Sequence, residues 1–189
     1  MNLNRKLLTC VLLSLVSCQP KLDLGPIPIG GNFLYEDRSG KKVSLSDYPE
    51  PVLLVFFGYT QCPDFCPNML SKIKLAQGML DKDLSNSFRT IFISIDPSRD
   101  GSDVVQKYVS FYLQNATGLS FNESTTALLV KQYGAYVEKS TDKDTIDHST
   151  YVYVLDKERK TRVLLKSNDS AEQFATVIKA LSGDSVQSQ

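Results

Sequence analysis

Two cysteines stand at a spacing that allows thiol or metal chemistry. Cys62 and Cys66 are separated by Pro63-Asp64-Phe65 in the 189-residue chain. Such a pair can close a disulfide, exchange electrons with another dithiol, or bind a soft metal ion through two thiolates. The alternative is a plain structural disulfide, which is common in exported domains. A bridge between residues so close in sequence removes little chain entropy and would stabilise the fold only weakly.

The position of the pair favours a functional site over a structural bridge. The cysteines directly follow a continuous apolar run, PVLLVFFGY at residues 51–59, which is typical of a strand buried on both faces. The α conformation is disfavoured in the residue before a proline, so we expect the next helix to begin at Pro67, with Cys66 at or beside its N-cap. There, unpaired backbone N–H groups and the helix dipole would lower the pKa of the Cys66 thiol.

The single histidine of the chain, His148, is a third candidate ligand. A lone histidine is more often a surface or packing residue. If a strand starting near Thr150 runs antiparallel to the strand at 51–59, however, His148 reaches the sheet edge that carries the cysteines. Two thiolates and one imidazole suit Cu(I), and water or a carboxylate can complete a Cu(II) site. Zn²⁺ with an open position is the rival metal, and Asp147 is a candidate to orient the imidazole.

The elements that must position these side chains alternate between strands and helices. The pattern predicts a thioredoxin-like α/β fold, in which a mixed sheet is flanked by helices, with an N-terminal β-hairpin and a late hairpin insertion. The predicted strands span residues 32–36, 42–46, 51–59, 88–95, 151–155 and 162–165, and the predicted helices span 67–84, 101–114, 125–136 and 170–181.

The amino terminus has the pattern of a targeting segment. Arg5 and Lys6 precede an apolar run at 7–16 that is too short to span a bilayer as a helix. We therefore expect a signal peptide over residues 1–17. Its Leu-Val-Ser-Cys ending resembles a bacterial lipobox, which predicts lipidation of Cys18 and an exported domain anchored to a bacterial membrane, facing the periplasm or the cell exterior. The alternative is an ordinary signal peptide in which this cysteine is incidental.

Composition indicates one globular domain after this segment. The chain is 42% hydrophobic and long enough to bury a core without many disulfides. Residues 18–30 are rich in proline and glycine and are expected to form an extended tether, followed by the domain at 31–183 and a disordered tail at 184–189. The 21 basic side chains balance 21 acidic ones, so no basic face for nucleic acid is expected.

Three sequence blocks together resemble the Sco/SenC family. They are FGYTQCPDFCP at residues 57–67, ISIDPSRD at 93–100 and Asp-His-Ser at 147–149, and the similarity runs in order from about residue 30 to 183. Three ordered blocks are far more specific than a single pair of cysteines. Gln61 stands where the family often has histidine, and Phe65 where a smaller aliphatic residue is usual. Neither departure removes a candidate ligand.

The resemblance implies a function in copper handling. Members of this family are thioredoxin-like, are tethered to a membrane outside the cytoplasm, and assist assembly of the dinuclear copper centre (CuA) of cytochrome c oxidase. Carried over to this chain, the resemblance implies that Cys62, Cys66 and His148 bind Cu(I) or Cu(II). The implied partner is the copper-bearing subunit of cytochrome c oxidase or another apo-copper protein. A thiol reductant is also implied, because only the dithiol binds copper.

Two aspartates and one further activity complete the expectations. Asp96 and Asp100 match the family's Asp-Pro-x-Arg-Asp block, in which they would order a loop or dock a partner. The alternative is a strand that stops at Pro97 and a following helix capped by Asp100. The alternative function is thiol–disulfide exchange, in which Cys62 and Cys66 act as a redox pair and keep the cysteines of another protein reduced.

Overall fold

The computed structural model describes residues 24–139 and 145–183. The expected signal peptide, Cys18 and the expected tail at 184–189 lie outside these residues. No helix in the described ranges has the length and apolar character needed to cross a membrane. The elements in chain order are β1 (Leu34–Glu36), β2 (Lys42–Ser44), a 3-10 turn (Leu45–Asp47), β3 (Val52–Gly58), α1 (Phe65–Gly78), α2 (Lys82–Ser85), β4 (Phe88–Ser94), α3 (Ser102–Tyr112), β5 (Ala116–Leu119), α4 (Glu123–Gln132), β6 (Val137–Lys139), β7 (Ile146–His148), β8 (Val152–Leu155), β9 (Thr161–Leu165) and α5 (Ala171–Gly183).

A mixed five-stranded sheet lies at the centre, in the order β5-β4-β3-β8-β9. Strand β3 runs parallel to β4 and antiparallel to β8, with Phe56 opposite Val152. This register brings the start of β8 beside the end of β3, which is the condition on which the expected placement of His148 depended. Residues that precede β8 therefore reach the edge of the sheet where β3 ends.

Strand β3 is buried on both faces because each face packs against its own core. Leu54 and Phe56 belong to the core formed with α1, α3 and α5. Leu53, Val55 and Phe57 belong to the opposite core, which includes the end of α4. Burial of each such side chain contributes about 1.5–3 kcal/mol. The central strand is thus a rigid base for the loop that follows it.

Several elements differ from the sequence prediction. Strand β5 and the ribbon of β6 and β7 were not predicted, because strands this short are stabilised by their partners more than by propensity. The helix predicted over 67–84 ends at Gly78, and the short α2 follows separately. The helix predicted to reach residue 136 ends at Gln132, followed by Gly134 with φ +59°, a conformation that glycine adopts at helix ends.

The part of the expected tether that the structure describes packs against the domain. We call residues 24–31 the N-terminal strap. The Ile27 N–H donates to the Thr161 carbonyl at 2.8 Å, and the Thr161 hydroxyl donates to the Ile29 carbonyl at 2.7 Å. The Tyr133 hydroxyl donates to the Gly31 carbonyl at 2.7 Å. An extended proline-rich backbone suits this pairing along β9.

Candidate metal centre

The two cysteines lie in the connection from β3 to α1. The helix begins at Phe65, so Cys66 lies in its first turn and not at its N-cap. The expectation that the helix starts at Pro67 was therefore wrong by two residues. A proline in the first turn removes no intrahelical hydrogen bond, because N–H groups there have no acceptor within the helix. The Cys66 N–H instead points at the Cys62 Sγ, 3.4 Å away.

The antiparallel ribbon of β6 and β7 carries His148 to the same place. His148 stands opposite Val137 in this ribbon, which is separate from the central sheet. The Ile146 N–H donates to the Tyr59 hydroxyl at 3.2 Å, which attaches the ribbon to the residue directly after β3. The antiparallel β8 thus brings the chain to the correct edge, and the ribbon places the imidazole beside the thiols.

Three potential ligand atoms converge at this edge. The sulfur atoms of Cys62 and Cys66 and a ring nitrogen of His148 all lie within 4.8 Å of one another. The Cys66 Sγ is 4.0 Å from the His148 Nε2. Neither cysteine forms a disulfide; Cys66 is fully buried, whereas Cys62 is half-buried. Two sulfurs and one imidazole nitrogen at this separation match the donor types that a soft ion prefers.

A hydrogen bond sets the orientation of the imidazole. The His148 Nδ1 lies 2.8 Å from the Ser149 carbonyl oxygen, which can only accept, so Nδ1 carries the proton. The Nε2 lone pair therefore faces the Cys66 sulfur and is available to a metal. The sequence suggested Asp147 for this orienting role, but the neighbouring backbone carbonyl performs it. Because every residue has a backbone carbonyl, the sequence could not show that this one is the acceptor.

The two thiols have opposite pKa shifts. The pKa of Cys62 is lowered, first because its sulfur accepts a hydrogen bond from the Cys66 thiol, and further by the backbone N–H groups of Cys66 and Asp64. The pKa of Cys66 is raised by the same hydrogen bond and by burial. The prediction that Cys66 has the lowered pKa was therefore wrong. These shifts favour the thiolate at the more exposed Cys62 and the thiol at the buried Cys66.

Aromatic side chains surround the imidazole and were not predicted as part of the site. The Tyr59 and Phe65 rings present edge-to-face contacts to His148, with centroid distances of 6.0 and 6.4 Å. The Arg99 guanidinium lies 5.8 Å from the centre of the Tyr59 ring. Cys62, His148 and the rings of Tyr59 and Phe65 line a pocket of about 440 Å³, together with Asp64 and Asp147.

Asp100 connects the cysteine loop to the end of β4. Its carboxylate accepts the Thr60 N–H at 3.0 Å, the Thr60 hydroxyl at 2.5 Å and the Ser94 hydroxyl at 2.7 Å. Asp100 does not cap α3, because the N-cap residue is Gly101 and has no side-chain cap bond. The alternative interpretation of Asp100 as a helix cap was therefore wrong.

Asp96 stabilises the neighbouring turn. Its carboxylate accepts the Ser98 hydroxyl at 2.7 Å and forms an ion pair with Arg99. Asp96 and Asp100 are only 2% and 1% exposed. Because both carboxylates are engaged within the molecule, their contacts favour loop ordering over docking of a partner.

Together, the fold and the site define a class of protein: a thioredoxin-like domain with two thiols and one imidazole gathered where its central strand ends. The family model described as SCO1/SenC matches residues 23–183, and the chain belongs to this family. This confirms the resemblance that the three sequence blocks indicated.

Individual relatives agree with this family. Protein sco1 of Schizosaccharomyces pombe is 27% identical over 161 residues, which cover 82% of this chain and 61% of that protein. The structure of Bradyrhizobium japonicum ScoI with copper bound is 32% identical, with a TM-score of 0.70 over 81% of this chain and 99% of that one. The crystal structure of yeast Sco1 with copper bound is 26% identical, with a TM-score of 0.72 over 86% of this chain and 92% of that one. The matched region spans between 41% and 61% of the length of three curated relatives.

Proposed function

We propose that this protein binds one copper ion through Cys62, Cys66 and His148 and assists assembly of the dinuclear copper centre of cytochrome c oxidase. The observation that carries the proposal is the convergence of the three ligand atoms within 4.8 Å. Membership of the SCO1/SenC family and the copper-bound structures of its relatives support copper as the ion. Copper is the cargo of such a protein and not a permanent structural metal.

The donor set suits the transfer of Cu(I). Thiolates and imidazole are soft to intermediate ligands, and a three-coordinate set leaves the ion open to an incoming ligand. Cys62 is half-buried at the pocket, so an incoming thiolate can reach its side of the ion first. The fully buried Cys66 would then be the last ligand to release it. The recipient is the copper-bearing subunit of cytochrome c oxidase or another apo-copper protein.

Both thiols must be reduced to bind the ion. The same pair would form a disulfide in an oxidising compartment, and a disulfide offers no thiolate to copper. The proposal therefore includes a separate thiol reductant as a partner.

We also propose that Cys18 is lipidated and holds the exported domain at a bacterial membrane. The support is the sequence of residues 1–18, in which two basic residues are followed by an apolar run that ends in Leu-Val-Ser-Cys. Anchoring would raise the effective concentration of the domain near a membrane-bound recipient without any additional contact.

Copper titration of residues 24–189, with both thiols reduced, tests the ligand set. We expect one Cu(I) per chain and, in the Cu(II) form, a thiolate charge-transfer band that a Zn²⁺ complex lacks. His148→Ala removes one of three ligands and should weaken Cu(I) binding by at least about tenfold, or about 1.4 kcal/mol. Asp147→Asn is the matched control and should bind copper as the unmodified protein does, because Ser149 orients the imidazole.

The same variants separate copper delivery from thiol–disulfide exchange. Weak, substoichiometric binding that His148→Ala does not change would contradict the copper site. If the protein only exchanges disulfides, His148→Ala should keep its activity, whereas Cys62→Ser or Cys66→Ser should abolish it.

A further inference from the structure

Gly58, the last residue of β3, lies against the sulfur of Cys66. A Cβ atom added at residue 58 would lie 2.6 Å from the Cys66 Sγ, and 2.8 and 2.9 Å from two ring atoms of Phe92. These distances are shorter than any that real Cβ atoms normally show. Gly58 lies in an extended strand, and any residue can adopt that backbone conformation. Glycine is therefore required here because it has no side chain. The sulfur occupies the space that a side chain would otherwise fill.

The two neighbours of this space differ in their freedom to move. Phe92 is fully buried, and its ring packs edge-to-face against Phe56 at 5.5 Å and in a tilted arrangement against Tyr108 at 5.7 Å. A ring held on several sides in a close-packed core cannot shift without displacing its neighbours. Cys66, in contrast, can move its sulfur by rotation about a single side-chain torsion. A methyl group at residue 58 would therefore move the sulfur more readily than the ring.

Displacement of this sulfur would alter the ligand set. The Cys66 Sγ is 4.0 Å from the His148 Nε2 and lies beside the Cys62 sulfur. We infer that Gly58 is a positioning residue of the copper site. Because it has no side chain, the Cys66 sulfur can occupy a place within reach of the other two ligands. The link to copper rests on the proposed function, whereas the packing of Gly58 against the sulfur does not.

Gly58→Ala tests the effect on copper. We expect Cu(I) affinity to fall by about tenfold or more and the Cu(II)–thiolate band to change position or intensity, since one sulfur is displaced. Gly118→Ala is the matched control, because the three atoms nearest to a Cβ there, the closest at 2.6 Å, all belong to the backbone of Val105 and Gln106 and none to a candidate ligand. That variant should lose stability but keep the spectrum and affinity of the unmodified site. Unchanged affinity and spectrum in Gly58→Ala would overturn the inference.

A metal-free double-mutant cycle tests the packing itself. The free energy of unfolding is measured for Gly58→Ala, for Cys66→Ala and for the double variant. If the sulfur is the atom that the methyl group displaces, its removal gives the methyl group room, and the double variant loses less stability than the sum of the single changes. If Gly58→Ala does not fold alone, the double variant should recover folding. Additive losses, or failure of both variants to fold, would identify Phe92 as the obstacle and overturn the inference.

The two experiments fail in distinguishable ways. If the unmodified protein binds no copper, the proposed function fails, but the metal-free cycle still decides whether Gly58 positions the sulfur. If copper binds normally and the cycle is additive, only the role of Gly58 is lost.

Discussion

Cys62 and Cys66 occupy different environments although only three residues separate them. Cys66 is fully buried above Gly58, whereas Cys62 is half-buried at the pocket. The hydrogen bond between the sulfurs lowers the pKa of Cys62 and raises that of Cys66. The site therefore pairs an accessible cysteine, at which the thiolate is favoured, with a protected one, at which the thiol is favoured.

This asymmetry predicts the order and pH dependence of alkylation. In the reduced, metal-free protein, iodoacetamide should modify Cys62 before Cys66, as measured by peptide mass spectrometry. A lowered pKa means that the thiolate persists as the pH falls. The Cys62 rate should therefore decrease less between about pH 8 and about pH 6 than the rate of an ordinary cysteine with a pKa of about 8.5.

Cys66→Ala provides the control for this measurement. Because the variant loses the thiol that donates to Cys62, the rate of Cys62 should become more dependent on pH. Preferential modification of Cys66 in the unmodified protein would contradict the assignment.

The N-terminal strap is hydrogen-bonded to the domain and contributes to its fold. The Ile27 N–H bonds to β9, and Gly31 provides the acceptor for the hydroxyl of the buried Tyr133. Gly30 has φ +73°, and a Cβ there would lie 2.7 Å from the Tyr133 ring, so the strap turns closely over this side chain.

Truncation of the strap should therefore destabilise the domain. A version that begins at Asn32 loses the bonds to Thr161 and leaves the Tyr133 hydroxyl without its acceptor. At about 0.5–1.5 kcal/mol for each hydrogen bond, we expect the free energy of unfolding to fall by about 2–4 kcal/mol in denaturant titration. A version that begins at Leu24 retains the strap and is the control. Equal stability of the two versions would show that these residues act as a spacer only.

The strap and the candidate metal centre lie at opposite ends of the sheet. Thr161 pairs with Leu155, and Leu155 pairs with Leu53 at the start of β3, whereas the cysteines follow its end. The seven residues of β3 extend roughly 20 Å. Residues 19–23, between Cys18 and the strap, can span at most about 18 Å. Lipidation at Cys18 would thus hold the strap end near the bilayer and the copper site away from it.

Fluorescence quenching in lipid vesicles measures this orientation. In the lipidated Cys62→Ser, Cys66→Ser protein, a label at Lys160→Cys, in the turn before β9, should be quenched more by headgroup quenchers than a label at Tyr136→Cys. Tyr136 lines the metal pocket and is 55% exposed. Neither label should be quenched in the version that begins at Leu24. Equal or reversed quenching in the lipidated protein would contradict the orientation.

Residue types and their order were enough to predict the central buried strands, the family and the kind of metal ion. The run of β3 indicated a strand buried on both faces because every position is apolar, and β4 carries a shorter apolar run at Ile91, Phe92 and Ile93. The three sequence blocks indicated the family, and the nature of thiolate and imidazole donors indicated a soft metal. These properties depend on local composition and chemistry, which can be read directly from the sequence.

The assembly of the site depends on contacts between segments that are distant in the sequence. His148 meets Cys66 across 82 positions of sequence, through a short ribbon that depends on Tyr59 for its attachment. The start of α1, the orientation of the imidazole by a backbone carbonyl and the opposite pKa shifts of the thiols depend on packing and hydrogen bonds between distant segments. The need for glycine at residue 58 likewise becomes visible only when the Cys66 sulfur and the Phe92 ring occupy their places, because the volume available to a side chain is a property of the folded chain.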